Sequence, residues 1–249
     1  MTEESQARPR RRRSQKLKKV RRGVLIAIAA LIALLSSPLF AIQNVEVNQL
    51  EYFTGEEVCD LAGVTDGANL FWFNRRAARR RLEENPYIAR AIFRLLPPHT
   101  LQIQVTERKL CGYIPYLGAY LYIDAEGRVL EVQNDMAEAH PVVQGLRFSG
   151  FQTGQIIEAE NTDALAVVVQ ISKIIQKYEM DALVLEVDVS DPADLTMRVH
   201  NVVVRLGDSK DLEDKLRTMY QAVQNIPEGD RGTLDLRDLD KPIIFQYLT

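Results

Sequence analysis

Apolar residues fall along this chain in three rhythms. Residues 24–42, VLIAIAALIALLSSPLFAI, are an uncharged run of 19 positions interrupted only by Ser36, Ser37 and Pro38. As one helix the run would reach about 28 Å at ~1.5 Å per residue, close to the ~30 Å hydrocarbon core of a bilayer. It predicts a single membrane-spanning helix over residues 23–42.

From residue 43 to 108 the pattern reads strand, helix, helix, strand, strand. NVEVNQ alternates, with Val45 and Val47 apolar, as a half-buried strand does. Thr54 followed three residues later by Glu57 has the spacing of a capping box, and Val58, Leu61 and Ala62 give a short apolar stripe that ends at Gly63. A second helix starts at Asn74, a good N-cap, and runs to Asn85, where Pro86 disfavours continuation. Phe71, Trp72 and Phe73 before it are expected to plug a small core. IARAIFRLL and TLQIQVTER then flank Pro97-Pro98-His99 as a strand pair, with Leu101, Ile103 and Val105 alternating cleanly.

Beyond residue 108 short strands dominate. LYIDAEGRVLEV reads as a hairpin, with Asp124 and Gly127 supplying the turn. Helices are expected at 162–178 and 210–224, where apolar residues recur every three or four positions. The strands PVVQGL, LVLEVDV, DLTMRVH, VVVRLG, TLDLR and PIIFQYL complete the region. The expected class is a single transmembrane helix plus an α+β region, a βααββ unit at 43–108 followed by a mostly antiparallel sheet domain with two helices at 109–249.

Charge gives the chain a direction. Residues 1–22 carry ten Lys/Arg against two acids, a net +8, while the remainder has 21 bases and 32 acids, a net −11. Basic residues flanking a span stay in the cytoplasm, so the tail lies inside and the bulk outside. Residues 1–22 have too few apolar positions for a core and are expected to be disordered against anionic membrane lipid. That placement accounts for the charge better than nucleic-acid binding does. A cleaved signal peptide is the competing reading of the apolar run. The long basic leader, and bulky Leu39 before an Ala41 cleavage point, weigh against it.

The chemistry-bearing residues are sparse. Cys59 and Cys111 have no Cys-x-x-Cys spacing and no neighbouring His, and buried unpaired thiols are expected, with a disulfide left open. His99, His140 and His200 stand apart from acids at ligand spacing and read as surface or turn residues. Asp235, Asp238 and Asp240 fit strand alternation and a turn better than a cation site. Phosphate loops, GxSxG elbows and HExxH helices do not occur, so no catalytic, metal, cofactor or small-molecule role is assigned. A membrane-anchored sortase would share the tail and span, but neither cysteine lies in a nucleophile strand. Arg75, Arg76, Arg79 and Arg80 form two rows on one helix, a candidate surface for an anionic or acidic partner, with a solvated helix face as the plain alternative.

Taken in order, the basic tail, the apolar run, NPYIARAIFRLLPPHTLQIQVTER, YIDAEGRVLE with PVVQGL, and TLDLRDLDKPIIFQY resemble the FtsQ/DivIB family of bacterial cell-division proteins. The likeness covers nearly the whole chain, although Lys109, Leu110 and Cys111 stand where that family usually has an apolar, Pro-containing step. It implies a POTRA domain, a β-domain, and a non-enzymatic scaffold of the divisome in the cell membrane at the septum. It also implies that the last strand, with Ile243, Ile244, Phe245, Gln246 and Tyr247, captures FtsB/DivIC-type proteins, which come with FtsL-type single-span partners. A POTRA-bearing transport or assembly factor is the alternative, and it predicts tandem POTRA units or a C-terminal barrel.

Overall fold

The computed structural model describes residues 10–227 and 229–248. It divides into two compact units, one of Met1–Leu82 with Arg90–Val105 and one of Glu83–Ala89 with Thr106–Thr249.

The first unit opens with helix α1, Arg10–Leu35. The helix thus runs back through much of the basic segment expected to lack structure, while residues 1–9 lie outside the described residues. Arg, Lys, Gln and Leu are good helix formers, and adding a turn to an existing helix avoids the cost of nucleation. At the other end the 19-residue apolar run is not one helix. Pro38 cannot continue the ladder, and Pro38–Phe40 forms a 3-10 turn capped by Ser37, whose Oγ accepts from the Leu39 amide at 3.3 Å. The last residues of the run then join the folded unit. Phe40 packs edge-on against Phe71 at 4.9 Å, and buried Ile42 donates its amide to the Ala68 carbonyl. Among the described residues no helix is long and apolar enough to cross a membrane.

The βααββ order is present. β1 (Asn44–Val47) runs parallel to β3 (Thr100–Glu107), with Val45 opposite Leu101 and Val47 opposite Ile103, and β3 lies between β1 and β2 (Ile88–Leu96). α2 (Gly55–Ala62) starts at the expected capping box: Thr54 donates its amide to Glu57 at 2.8 Å, and the Glu57 amide returns to Thr54 Oγ1 at 3.3 Å. The Thr54 amide, and with it the Thr54 hydroxyl, donates to the Glu57 carboxyl, and together they hold it below its ordinary value. α3 (Arg75–Glu83) is capped by Asn74, which accepts from the Ala77 amide at 3.1 Å. Val58, Ala62, Leu70, Ala78, Leu82, Leu101 and Ile103 are buried. Trp72 departs from expectation: it is 58% exposed, because Phe71 and Phe73 fill the space on either side of it by packing on Phe40 and Phe93.

The second unit is built on one nine-stranded sheet. Its strands are β4 (Gly112–Tyr116), β5 (Ala119–Ile123), β6 (Val129–Gln133), β7 (Val142–Gln144), β8 (Val184–Asp188), β9 (Leu195–Val199), β10 (Val202–Gly207), β11 (Gly232–Asp235) and β12 (Phe245–Tyr247). Their order is β12-β11-β10-β9-β8-β7-β4-β5-β6, and only the β4–β7, β7–β8 and β10–β11 pairs are parallel. Helices α4 (Thr162–Lys177) and α5 (Leu212–Val223) bury Val167, Val168, Ile171, Ile175, Leu216 and Met219 in a core shared with strand residues such as Met197, Val204 and Leu234. Asn161 caps α4 by accepting from the Asp163 and Ala164 amides. The β5–β6 turn follows its sequence signature. Asp124 accepts from the amides of Glu126 and Arg128 at 2.9 Å, and Gly127 takes φ +77°.

Candidate partner-binding edge

The sheet of the second unit ends at β12. This strand pairs antiparallel with β11, Gly232 opposite Tyr247, Thr233 opposite Gln246 and Leu234 opposite Phe245. The strand expected as PIIFQYL is shorter than its apolar run: Ile243 and Ile244 precede it. The turn before it explains the shortening. The Lys241 amide donates to the Asp238 carbonyl at 3.4 Å, and Pro242, which follows, has no amide to give to a ladder.

Register decides which backbone groups are free to pair. The Leu248 amide donates to the Arg231 carbonyl at 2.9 Å, which makes that position a hydrogen-bonded pair. Such pairs alternate along antiparallel strands, so Gln246 also turns its amide and carbonyl toward β11. Phe245 and Tyr247 turn theirs to the open edge. Their rings lie on one face, 4.7 Å apart and edge to face. Phe245 is half-buried against the main core, whereas Ile243 (42%), Ile244 (60%), Tyr247 (66%) and Leu248 (64%) are exposed. Four large apolar side chains beside an unpaired strand edge form a sticky margin.

Gly232 lets this strand dock. A Cβ there would overlap the Gln246 carbonyl oxygen and the Phe245 ring, so only glycine permits the approach. Next to the strand lies a shallow cleft of about 490 Å³ lined by Asp235, Arg237, Asp238, Lys241, Ile244 and Gln246. Its charges are paired, Arg237 with Asp235 at 2.6 Å and Lys241 with Asp238 at 2.9 Å. The Arg237 hydrogen bonds hold the Asp235 carboxyl down to about 2.

On α3 the four arginines of interest are exposed but not alike. Arg79 donates Nε to the Ala91 carbonyl at 3.0 Å, which ties it to β2, and Arg81 reaches the Ala62 carbonyl. Among the described residues neither Arg75 nor Arg76 has an ion pair or side-chain hydrogen bond.

The remaining candidates offer no reactive centre. Cys59 and Cys111 are free. Burial first, then nearby acids, raises both thiols, Cys111 to about 12, the opposite of what a nucleophile requires. Among the described residues no cluster of His, Cys, Asp and Glu could hold a metal ion. His99 lies beside Asn44 and Thr100, and His200 occupies the β9–β10 turn at φ +50°. His140 is a correction to the reading of isolated histidines. Its Nε2 lies 3.0 Å from Glu138, and its Nδ1 lies 3.4 Å from Asp181, close enough for an ion pair though poorly aligned for a hydrogen bond. Burial alone would lower its pKa, but the two carboxylates outweigh burial and raise it. Asp181 is brought in by the fold from far along the chain.

Comparison with known proteins places this architecture. Residues 40–108 match the POTRA domain, FtsQ-type, and residues 113–237 match the Cell division protein FtsQ/DivIB, C-terminal region. The class is therefore a POTRA domain followed by a division-protein sheet domain. Cell division protein DivIB of Clostridium botulinum (strain Hall) is 22% identical over 239 residues, covering 94% of this chain and 93% of that protein. Cell division protein FtsQ of Corynebacterium glutamicum is 23% identical over 217 residues, 85% of this chain and 91% of that protein. Cell division protein FtsQ of Geotalea daltonii is 31% identical over 109 residues, 43% of this chain and 39% of that protein. The chain belongs to the FtsQ/DivIB family of cell division proteins.

Proposed function

We propose that this protein is a non-enzymatic scaffold of the bacterial division machinery, which holds FtsB/DivIC-type and FtsL-type single-span proteins at the septum by adding a partner strand to β12. The observation that carries the reading is the open edge, with the Phe245 and Tyr247 backbones facing outward beside exposed Ile243, Ile244, Tyr247 and Leu248. In the same reading α1 is the membrane anchor, its N-terminus cytoplasmic and the two folded units extracytoplasmic. Supporting this, Val24, Leu25, Ile26, Ile28, Leu31, Ile32 and Leu34 are exposed all round the helix, as a lipid-facing segment requires.

Two outward residues offer up to four ladder bonds, at about 0.5–1.5 kcal/mol net each. That sum falls short of the ~4–15 kcal/mol cost of association, so apolar contact and a shared membrane must supply the rest. Confinement of both partners to one bilayer raises their effective concentration without any new contact.

Proline substitution tests the edge. Tyr247→Pro removes an outward amide and leaves the bonds to β11 intact, as an edge strand tolerates. Phe245→Pro removes the other outward amide. In pull-downs of an FtsB/DivIC-type protein by the full chain, both variants are expected to lose capture while inserting into membranes normally. Unchanged capture by both variants would reject strand addition at β12. A midcell ring from a fluorescent fusion is the matching expectation in cells, and an even envelope signal counts against a division role.

A further inference from the structure

The joint between α1 and the first folded unit is stitched rather than linked. Asn69 Nδ2 donates to the Leu35 carbonyl at 2.8 Å, which satisfies one of the open acceptors at the helix end. Trp72 Nε1 donates to Ser36 Oγ at 3.1 Å, the Leu70 amide bonds the Phe40 carbonyl, and Phe40 stacks edge-on with Phe71. Wherever the end of α1 lies, loop 68–72 lies with it.

Two large apolar side chains at this joint are left outside the core, Trp72 at 58% and Leu39 at 59% exposure. Three residues after Trp72, α3 begins with Arg75 and Arg76, and its first turn has no acid. Cations at a helix N-terminus work against the helix dipole, so these two arginines are placed at a cost to the helix. Neither has a partner among the described residues, so the helix receives no ion pair in return. The pattern of exposed Trp, exposed Leu and uncompensated Arg is that of a surface meeting the headgroup region of a bilayer, where indole rings settle and phosphates attract guanidinium groups.

Length supports the same placement. The uncharged part of α1, residues 23–35, reaches only about 20 Å of the ~30 Å hydrocarbon core. A short apolar helix draws its flanking groups toward the lipid, by snorkelling or by thinning the bilayer. Arg21 and Arg22 can snorkel at one end. The other end has only the stitched loop and its exposed Trp72 and Leu39.

We propose that the base of the first unit is seated in the extracytoplasmic leaflet, with Leu39 and Trp72 at the acyl boundary and Arg75 and Arg76 on anionic phospholipid headgroups. This rests on the reading of α1 as the membrane anchor. The seat sets the folded unit directly on the membrane surface and leaves no free tether at that joint.

Trp72 is the single tryptophan of the chain, so its fluorescence reports this site alone. The full chain is reconstituted into vesicles of phosphatidylethanolamine and phosphatidylglycerol, with and without bromine on the acyl chains. The expected result is a blue-shifted Trp72 emission that is quenched by brominated lipid and shielded from aqueous iodide. Arg75→Gln with Arg76→Gln is expected to red-shift the emission and weaken the lipid quenching, and so is replacement of phosphatidylglycerol by phosphatidylcholine. Chain that floats with the vesicles while Trp72 is quenched by iodide and untouched by brominated lipid overturns the seat, leaves the anchor standing, and hands the arginine face to a protein partner. Full quenching in the double arginine variant overturns the headgroup contact. Chain that does not float with the vesicles refutes anchor and seat together.

Discussion

Gly232→Ala offers a sharp test of how the edge strand is held. The added methyl group would overlap the Gln246 carbonyl and the Phe245 ring. Forcing such an overlap into a packed site costs about 1–3 kcal/mol. β12 is held through the amide and carbonyl of Gln246 and the amide of Leu248, whose three bonds contribute a net of about 1.5–4.5 kcal/mol. The two magnitudes are comparable, whereas moving β11 would disturb fully buried neighbours such as Leu234 and Val204. Strain is therefore relieved by detachment of β12 and not by distortion of the core. Loss of about 1–3 kcal/mol lowers amide protection by roughly 5- to 150-fold. Native-state hydrogen exchange on the full chain should report that drop at Gln246 and Leu248, with β9 and β10 unchanged. Wild-type protection at both amides would refute the close-approach argument. A uniform loss across the sheet would refute the independence of the edge. Partner capture should weaken in parallel, since a detached strand presents no template.

His140 gives a pH prediction. Its folded pKa is raised above the ordinary 6.5, so its ion pairs contribute stability that is fully present below that value and is lost as pH rises through the raised one. As pH rises from 6.5 through the raised value, the urea midpoint of the wild-type chain should fall more steeply than that of His140→Gln. Equal slopes would remove the pairing with Glu138 and Asp181 from consideration. Cys111, buried with its thiol pushed up to about 12, should resist alkylation at neutral pH until the chain unfolds, while half-exposed Cys59 reacts slowly in the folded state. Rapid labelling of Cys111 in native protein would contradict its burial.

Much of the fold is legible from period alone. Leu101, Ile103 and Val105 alternate and form β3, and the Thr54 to Glu57 spacing forms a capping box. Local rules govern both, since each depends on neighbours within a few residues. The departures depend on distant partners. Hydropathy makes the apolar run a single helix because it does not reveal that Phe40 packs on Phe71 or that Asn69 closes the end of α1. Size alone sends Trp72 to the core, yet Phe71 and Phe73 take the inward positions. The edge is recognisable as a strand, but its outward groups follow from the pairing of Leu248 with Arg231, which no periodicity encodes. Likewise four arginines look equivalent in sequence, and only the fold separates Arg79, bound to β2, from Arg75 and Arg76.

The two margins of the large sheet are unequal. At β6 the first residue is already engaged, since Val129 donates to the Gln155 carbonyl and accepts from the Gly154 amide, and the β5–β6 register is broken between Tyr122 and Ile123. Both features spoil a template for pairing. A strand approaching β6 therefore meets an occupied first residue, whereas one approaching β12 meets the outward backbone groups of Phe245 and Tyr247. The asymmetry gives the sheet a polarity, one margin occupied where it begins and the other left with unsatisfied backbone groups.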